Sequence, residues 1–526
     1  MDLLHYYISF AAIFLVVPIE SANILAITFV PSVSHQEVYQ PIWRELSLRG
    51  HNVTVMTTNV LADPSLVNLT QIDVSFVYKY MNVPLKSFRD ATILQNIFFI
   101  DFFFSKLLQA EIAHEDVQKL LQRDDDEFDL VVLEALHPLV YGFAAKFKAP
   151  VVAISTLEPF IPFHDALGNP THPVLRPDNF IHFYGEPTLK DRMTSFLHNI
   201  FYRAIYYWRL LPEADKVARK FFGRNIPYLG DVIGNTSLML INSNPILNTP
   251  VANVPSVISF GNVHIKEAKP LPKDIQKFLD ASSRGVVYFS LGSNVKSTSL
   301  GTEMRDIITQ ALSELPFNVI WKWEEDELPG KPDNVLLKKW LPQQEVLRHP
   351  NVKVFVTQGG LQSIEQSIAF GVPMVGIPIY GDQPTNVKTL VDGGMALFID
   401  FKSITKDELK KAILEVGTNI KYRERVVKAR ELIQDQPMNG LDKAVWWIEH
   451  VIRHKGARHL RSPAADMPIF QYFMVDVIAI LLFGLYLSVK LTKLIIRWTV
   501  RGLTIGFEVF KKFLNNKLLA SKQKAS

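Results

Sequence analysis

The sequence predicts an α/β protein: two doubly wound, parallel-sheet halves followed by a C-terminal transmembrane helix. Three observations carry this. Short β-branched apolar runs alternate with segments of helical spacing in both halves of the chain. A polar, proline-bearing stretch at residues 261–283, including Lys269-Pro270-Leu271-Pro272, separates the two series. Near the end, residues 469–489 form an apolar run long enough to cross a bilayer at about 1.5 Å per residue. With 526 residues, 48% of them apolar and 21% charged, the chain has ample material for large cores and lacks a disordered composition.

The N-terminal elements follow in order. Residues 8–17 are apolar and lead to the small pair Ser21-Ala22, which reads as a signal peptide cleaved at Ala22. Residues 23–30 (NILAITFV) and 53–57 (VTVMT) read as buried parallel strands. A helix over residues 37–49, stopped by Gly50, joins them. The pattern recurs at residues 129–133 and 151–155, around the apolar-periodic segment 139–147. Open parallel sheets bind ligands at the carboxyl ends of their strands. Two polar residues are expected there, His35 in the loop past the first strand and Glu134 past the later one. A lone loop histidine is more often structural. A base for a hydroxyl, however, must titrate near neutrality and needs a carboxylate to orient its ring, and this pair supplies both.

Asp124-Asp125-Asp126 raises the alternative of a metal-holding acidic motif, but the run precedes a strand and reads as a solvated loop. The aromatic-rich segments 97–104 and 196–211, the latter with Tyr202, Tyr206, Tyr207 and Trp208, suit an apolar ligand pocket, a surface resting on a membrane, or ordinary core.

In the C-terminal half, strands are expected at residues 286–290, 318–322, 335–338, 352–356, 374–377 and 396–399. The first ends in Ser290-Leu291-Gly292-Ser293, whose hydroxyls and N–H groups suit phosphate oxygens. No G-x-G-x-x-G follows a strand and no G-K-[ST] ending is present, which argues against a dinucleotide oxidoreductase and a P-loop enzyme. Residues 340–383 concentrate the remaining signals. The strand stops at Thr357-Gln358-Gly359-Gly360, and helical spacing takes over through Leu361, Ile364, Ile368 and Phe370 until Gly371 and Pro373 end it. A glycine pair there lets a phosphate approach N–H groups at the positive end of a helix. Trp340 and Gln343 offer an indole face and an amide to a flat base and its ribose, and Asp382-Gln383 offer hydrogen-bonding groups to a sugar. Past a helix-rich region at residues 407–430, Val445, Ile448, Val451 and Ile452 share one face of a closing helix over residues 441–455.

The net charge of +4 is unevenly placed. Residues 490–526 hold nine Lys or Arg and one acid, leaving the rest at about −4, so nothing favours nucleic acid as a partner. The absence of cysteine excludes disulfides, thiolate metal sites and a cysteine nucleophile. Lys490, Lys493, Arg497 and Arg501 directly follow the apolar run and place the tail in the cytoplasm and the bulk of the chain in the lumen. Asp476 within the run would cost about 2.5–3.5 kcal/mol at mid-membrane. Lys522 and Lys524 sit as in a dilysine retrieval signal, and Asn52, Asn68 and Asn235 lie in glycosylation sequons, Asn52 against an expected buried strand.

Residues 340–383, together with Ser34-His35 and the tail anchor, resemble the signature of the membrane-bound, UDP-glucuronosyltransferase-like UDP-glycosyltransferases, over nearly the whole chain. The Thr357-Gln358-Gly359-Gly360 form is similar to the invertebrate branch, because vertebrate members mostly carry histidine at the position of Gln358. The resemblance implies a GT-B type fold of two Rossmann-like domains plus a transmembrane helix. Its parts would be a signal peptide (1–22), an acceptor-binding domain (23–260), a linker (261–283), a donor-binding domain with a return helix (284–467), a transmembrane helix (468–489) and a basic cytoplasmic tail (490–526).

It further implies that His35 is the catalytic base and that Glu134, where many members carry aspartate, is its partner. Trp340 would stack on uracil and Gln343 would bond near the ribose. Ser290, Ser293, Gln358, Gly359, Gly360 and Gln362 would surround the diphosphate, and Asp382 and Gln383 would bind the sugar. Gln366 stands where the family pattern has an acid for the ribose. An arginine found in several glucuronate-using relatives is replaced by Asn242, which favours glucose over glucuronate. The implied reaction is inverting transfer of a hexose from a UDP-sugar co-substrate to small lipophilic phenols or alcohols, without metal or other cofactor, in the endoplasmic reticulum membrane; a homo-oligomer is left open. The rival reading is a non-catalytic, membrane-anchored binder of lipophilic ligands that retains the fold, favoured by Gln358 and Gln366.

Overall fold

The computed structural model describes residues 21–81, 92–183, 185–293 and 295–523, with side chains described through residue 519. The expected signal peptide lies almost wholly outside the described residues, as does Lys524. The chain divides into two units, Met1–Ala465 and Asp466–Ser526.

The first unit holds two all-parallel sheets. The N-terminal sheet has seven strands in the order β3-β2-β1-β4-β5-β6-β7. They are β1 (Asn23–Thr28), β2 (Asn52–Thr57), β3 (Leu69–Asp73), β4 (Leu130–Glu134), β5 (Val151–Ser155), β6 (Leu238–Asn242) and β7 (Val257–Phe260). The C-terminal sheet has six, β10-β9-β8-β11-β12-β13. These are β8 (Val286–Ser290), β9 (Asn318–Lys322), β10 (Val335–Lys338), β11 (Val352–Thr357), β12 (Met374–Gly376) and β13 (Ala396–Phe398). Strand order reverses between β1 and β4 in the first sheet and between β8 and β11 in the second. Such switch points leave a crevice at the strands' carboxyl ends, where helices depart to opposite faces.

Ten of the thirteen strands coincide with the expected apolar runs to within a residue or two. The three not anticipated are β3, β6 and β7. β3 is an edge strand, Leu-Thr-Gln-Ile-Asp, in which Ile72 is the one buried residue, so its apolar content is low. The other two lie beyond a long helical insertion that breaks the strand–helix alternation.

The helix after β1 runs Val33–Leu48, four residues earlier than expected at its start. Ser32 is extended and supplies the N-cap position, and Gly50 closes the far end at φ +94°. His35 is therefore in the first turn of a helix, not in a loop. Residues 261–283 are likewise only partly a linker. The helix Lys273–Ala281 buries Ile275 and Leu279 with Val286 and Tyr288 of β8, so the second domain's packing begins inside that stretch.

One face of the N-terminal sheet is covered by the Val33–Leu48 helix together with Gly440–Arg453, which lies after the entire C-terminal sheet in sequence. Ala444, Val445, Ile448 and Val451 are fully buried against Ile42, Trp43 and the β1 and β7 side chains. Arg49 reaches Glu449 and Asp442 at 3.4 Å. The backbone of Gly440 lies so close to Gly261 that a Cβ would stand 2.0 Å from the Gly261 carbonyl oxygen. The apolar face read from the sequence is thus spent on completing the first domain.

In the second unit the helix Val475–Gln523 is preceded by a short turn of helix, Ile469–Tyr472. The apolar helix starts later than the expected span and continues unbroken through the basic tail; residues 475–519 are long and apolar enough to cross a membrane. Asp476 falls in the first turn, where the helix's positive end favours a carboxylate.

Truncating Ile448→Ala removes a side chain buried in the first domain's core. The expected loss is about 2–5 kcal/mol of stability, read as an earlier chemical-denaturation midpoint of the full chain in detergent. An unchanged midpoint would show that this helix does not hold the N-terminal sheet.

Candidate active site

Both switch points open toward one cleft. Glu134 ends β4, fully buried, and its Oε1 lies 2.7 Å from Nδ1 of His35, which is only 12% exposed. The backbone N–H of Val30 donates to Glu134 Oε2 at 3.1 Å, and the Tyr39 hydroxyl donates to Oε1 at 3.2 Å. A carboxylate accepts and does not donate, so Nδ1 is the donor in this contact. Tyr39 lies one helical turn past His35, so the helix presents both to the same carboxylate. Burial first, then the Glu134 charge, raises the Tyr39 hydroxyl well above its ordinary range, keeping it a donor.

A second carboxyl stands behind this pair. Glu111, on the helix Ile93–Ile112, is fully buried, and neither oxygen has a hydrogen-bond partner among the described residues. Burial foremost, and the Glu134 charge next, push its carboxyl well above the ordinary carboxylate range. Nothing in its sequence context marks it, because it occupies a position of helical spacing in an apolar helix.

The cleft has a volume of about 250 Å³, and its walls include Ser34 and Glu37 from the N-terminal domain with Ser290, Ser293, Trp340, Gln343, Gln362 and Gln366 from the C-terminal one. Trp340 is 58% exposed and presents its indole to this space. Gln343 is fully engaged: its Oε1 accepts from the Tyr288 hydroxyl at 3.0 Å, and its amide donates to Ser363 Oγ at 3.0 Å and Gln366 Oε1 at 2.7 Å. Gln366 accepts in that pair through Oε1, and its NH₂ takes no part in it.

Lys322, at the carboxyl end of β9, also lines the cleft and was not anticipated. Its ammonium donates to the Gly292 carbonyl at 3.0 Å, pairs with Glu324 at 2.9 Å and lies 5.7 Å from the Trp340 ring centre. Its position at a strand end is the sequence signal that identifies it. Lys266 and Lys269 add further positive charge to the same walls, offsetting the absence of a titratable group at Gln358.

The glycine pair is built as its sequence demands. Gly359 has φ +85°, and a Cβ there would stand 2.3 Å from Val387. Gly360 is the N-cap of the helix Leu361–Ala369. Gln358 fills the space left by Gly292, where a Cβ would meet its amide nitrogen at 2.6 Å, and its Oε1 has no hydrogen-bond partner among the described residues. The Asn386 amide donates to Asp382 Oδ2 at 2.7 Å and to the Gly359 carbonyl at 3.1 Å, tying the acid to the glycine turn. Burial raises the Asp382 carboxyl, opposed chiefly by Asn386 and also by His35, so these two groups from different domains lie within electrostatic range.

Two expected donor residues are otherwise engaged. The Gln383 side-chain Oε1 accepts from the backbone N–H groups of Ile379 and Tyr380 at 2.9 and 3.1 Å, shaping the turn that leads into its own helix. The Gln362 amide crosses to the Thr156 carbonyl of the N-terminal domain at 3.2 Å.

Asn242 does not face the cleft. Its amide donates to Glu365 Oε2 at 3.1 Å, and both residues are buried in the seam between the domains. An arginine at position 242 would meet Glu365, so its absence loses its force as an argument for glucose. His264 joins this seam, with Nδ1 3.7 Å from Glu365 and Nε2 donating to the Gln362 carbonyl at 3.0 Å. Burial lowers His264 to about 4 and raises Glu365 to about 7, the latter opposed by Asn242 and the Asn262 N–H. Away from the cleft, Asp125 is ion-paired to Lys146 and Lys148, which hold it down at about 2. Asn52 and Asn235 are exposed and Asn68 half-buried, the Asn52 amide donating to Asn23 Oδ1 at 3.0 Å.

A family model described as UDP-glucoronosyl and UDP-glucosyl transferase matches residues 23–505. A UDP-glycosyltransferase of Dactylopius coccus (UGT5) is 35% identical over 472 residues, covering 88% of this chain and 89% of that protein. The UDP-glucuronosyltransferase 2B33 of Macaca mulatta is 30% identical over 474 residues, covering 85% and 88%. Among solved structures, Arabidopsis thaliana UGT89C1 superposes with a TM-score of 0.55 at 17% identity, over 83% of this chain and all of that one. At that identity the likeness carries the fold, two parallel-sheet domains of the GT-B type.

Glu365→Gln tests the seam. A carboxyl held near 7 when folded and ionising near 4.5 when unfolded keeps its proton only in the folded state between those values. Stability falls by up to about 1.4 kcal/mol per pH unit across that window. The variant is expected to lose this one-proton slope between pH 4.5 and 7 in denaturation measured at several pH values; an unaltered slope contradicts the assignment.

Proposed function

Since this chain belongs to the UDP-glucoronosyl and UDP-glucosyl transferase family, we propose that it transfers a hexose from a UDP-sugar to a hydroxyl of a small lipophilic acceptor, with inversion at the anomeric carbon. The observation that carries this reading is the short His35–Glu134 contact beside the cleft that Trp340, Gln366 and the Ser290–Ser293 loop share. His35 Nε2 takes the acceptor hydroxyl's proton as the oxygen forms its bond to the anomeric carbon. The anomeric C–O bond to UDP breaks on the opposite side, and the leaving diphosphate keeps that electron pair. Glu134 stabilises the imidazolium, and Tyr39 and Val30 fix Glu134 in turn.

Ser290, Ser293 and the N-terminus of the Leu361–Ala369 helix, with Lys322 beside them, are suited to the charge that develops on the diphosphate. Asp382 is suited to the sugar hydroxyls, held by Asn386 in the turn that carries the glycine pair. The family description spans both glucosyl and glucuronosyl donors, and with Asn242 turned into the domain seam the charge of the sugar rests on other residues. Lumenal orientation in the endoplasmic reticulum membrane is proposed on the apolar helix and the cations that follow its first turns.

His35→Ala is expected to lower kcat by about 10²–10⁴-fold while leaving UDP affinity unchanged, measured in microsomes with UDP-glucose or UDP-glucuronate and a panel of phenols. Activity equal to the parent would remove His35 as the base. Retained UDP binding with no transfer by the parent from either donor would favour the non-catalytic binder.

Gln366→Glu keeps an acceptor for the Gln343 amide and adds charge-assisted acceptors for ribose hydroxyls. UDP affinity is expected to rise about tenfold by calorimetry, and no rise would separate residue 366 from the ribose.

A further inference from the structure

The helix Gln383–Asp392 begins at Asp382, its N-cap, and two side chains of its first turn tie it to two different domains. Asn386 holds it to the C-terminal domain, through Asp382 Oδ2 and the Gly359 carbonyl. Thr385 holds it to the N-terminal domain, its Oγ1 lying 3.1 Å from Nδ1 of His182. Asp382 and Thr385 stand three positions apart and share one side of the helix start. That side faces the N-terminal domain, since His35 also acts on the Asp382 carboxyl.

His182 ends a braced segment. The Asp178 carboxylate lies 3.3 Å from His198 Nε2 and accepts from the Phe180 N–H at 3.2 Å. The Asn179 amide donates to the Glu158 carbonyl at 2.7 Å, and the Glu158 carboxylate is clamped by His164 at 2.9 Å and Arg176 at 3.0 Å. Phe180 stacks on Phe160 at 5.7 Å and meets Tyr202 edge-on at 6.2 Å. Two positions further on, the chain touches the other domain. Burial lowers His182 to about 4, against the opposing pull of Asp178, so a neutral imidazole meets the Thr385 hydroxyl. Both groups donate or accept, and the contact needs no ion pair.

Cohesion between the domains is supplied elsewhere. Asn242 with Glu365, His264 with the Gln362 carbonyl, and Gln344 with the His264 carbonyl join residues 242–264 to the helices Gln343–Arg348 and Leu361–Ala369. The His182–Thr385 contact stands apart from that group. Its members are half-buried and exposed, so it adds little to folding. What it fixes is the start of the helix that carries Asp382.

We propose that His182 is a positioning residue for the donor sugar: through Thr385 it sets the Asp382 carboxylate against the N-terminal domain. This rests on the reading of Asp382 as the group suited to sugar hydroxyls. The uridine and diphosphate fall to other elements, so the influence of His182 is confined to the sugar.

Calorimetry on the full chain in detergent compares UDP with UDP-glucose and UDP-glucuronate, for the parent, His182→Ala, Thr385→Val and the double variant. Thr385 is exposed, so Thr385→Val deletes the same contact without disturbing the core. Each single variant is expected to weaken the sugar nucleotide that the parent binds more tightly by about 3–10-fold, one hydrogen bond's worth, and to leave UDP unchanged. The same loss is expected in kcat/KM for the donor, with an unaltered denaturation midpoint. The double variant is expected to lose no more than either single one, because both remove one contact. His182→Asn, whose side-chain amide falls near the place of Nδ1, is expected to restore most of the affinity. Equal weakening of UDP and the sugar nucleotide, or losses that add in the double variant, overturn the proposal. A parent that binds UDP and both sugar nucleotides alike also overturns it, since no sugar contact then exists to be positioned. Sugar-dependent binding that follows His182, without transfer to any phenol, retains the positioning role and removes only the assigned reaction.

Discussion

Burying a carboxylate between two strands constrains everything around it. Glu134 has no exposed surface, so its charge is tolerable only if its oxygens are met by donors. They are met by three: the Val30 N–H where the chain leaves β1, the Tyr39 hydroxyl, and His35 Nδ1. Two of these come from one face of the Val33–Leu48 helix and the third from the turn that launches it. The same contacts that compensate the charge therefore fix the height and rotation of the helix, and with it the imidazole. Oε1 is shared by His35 and Tyr39, while Oε2 is met by the Val30 N–H.

The second domain applies a related constraint with neutral groups. Gln343 joins Tyr288, Ser363 and Gln366, while Gln358 fills the hollow at Gly292. Both amides hold the walls of the cleft in register, which explains why residues read as ligand contacts can instead be wall-builders. Positive charge reaches this cleft from Lys322 and the Lys266–Lys269 segment, not from the residue after Thr357. The two switch points face one another, and His35 is close enough to Asp382 to act on its ionisation.

Much of this was legible in the sequence. Central parallel strands are buried on both faces and read as unbroken apolar runs, so β1, β4, β5, β8 and β11 announce themselves. The edge strand β3 and the late pair β6 and β7 do not, since one is half polar and the others follow an insertion with no strand alternation. The positions of His35, Glu134 and the glycine pair follow from the rule that ligands gather at carboxyl ends of strands. What local pattern cannot carry is direction across the domain seam: that Asn242 turns to Glu365, that Gln362 reaches Thr156, and that an apolar face near residue 448 belongs to the first domain. Glu111 was invisible for the opposite reason, an acid placed where helical spacing calls for an apolar side chain.

The helix Gly440–Arg453 also sets a timetable. Arg49 meets Glu449 across 400 positions of sequence, so the first sheet cannot cover Ile42, Trp43 and their neighbours until nearly the whole soluble part has been synthesised. At about 5–20 residues per second, some 20–80 s elapse between the two segments. During that interval the N-terminal domain carries an open apolar face while its helix and strands are already present. Closure of the first domain is therefore a late event that waits on the arrival of the segment around Ile448.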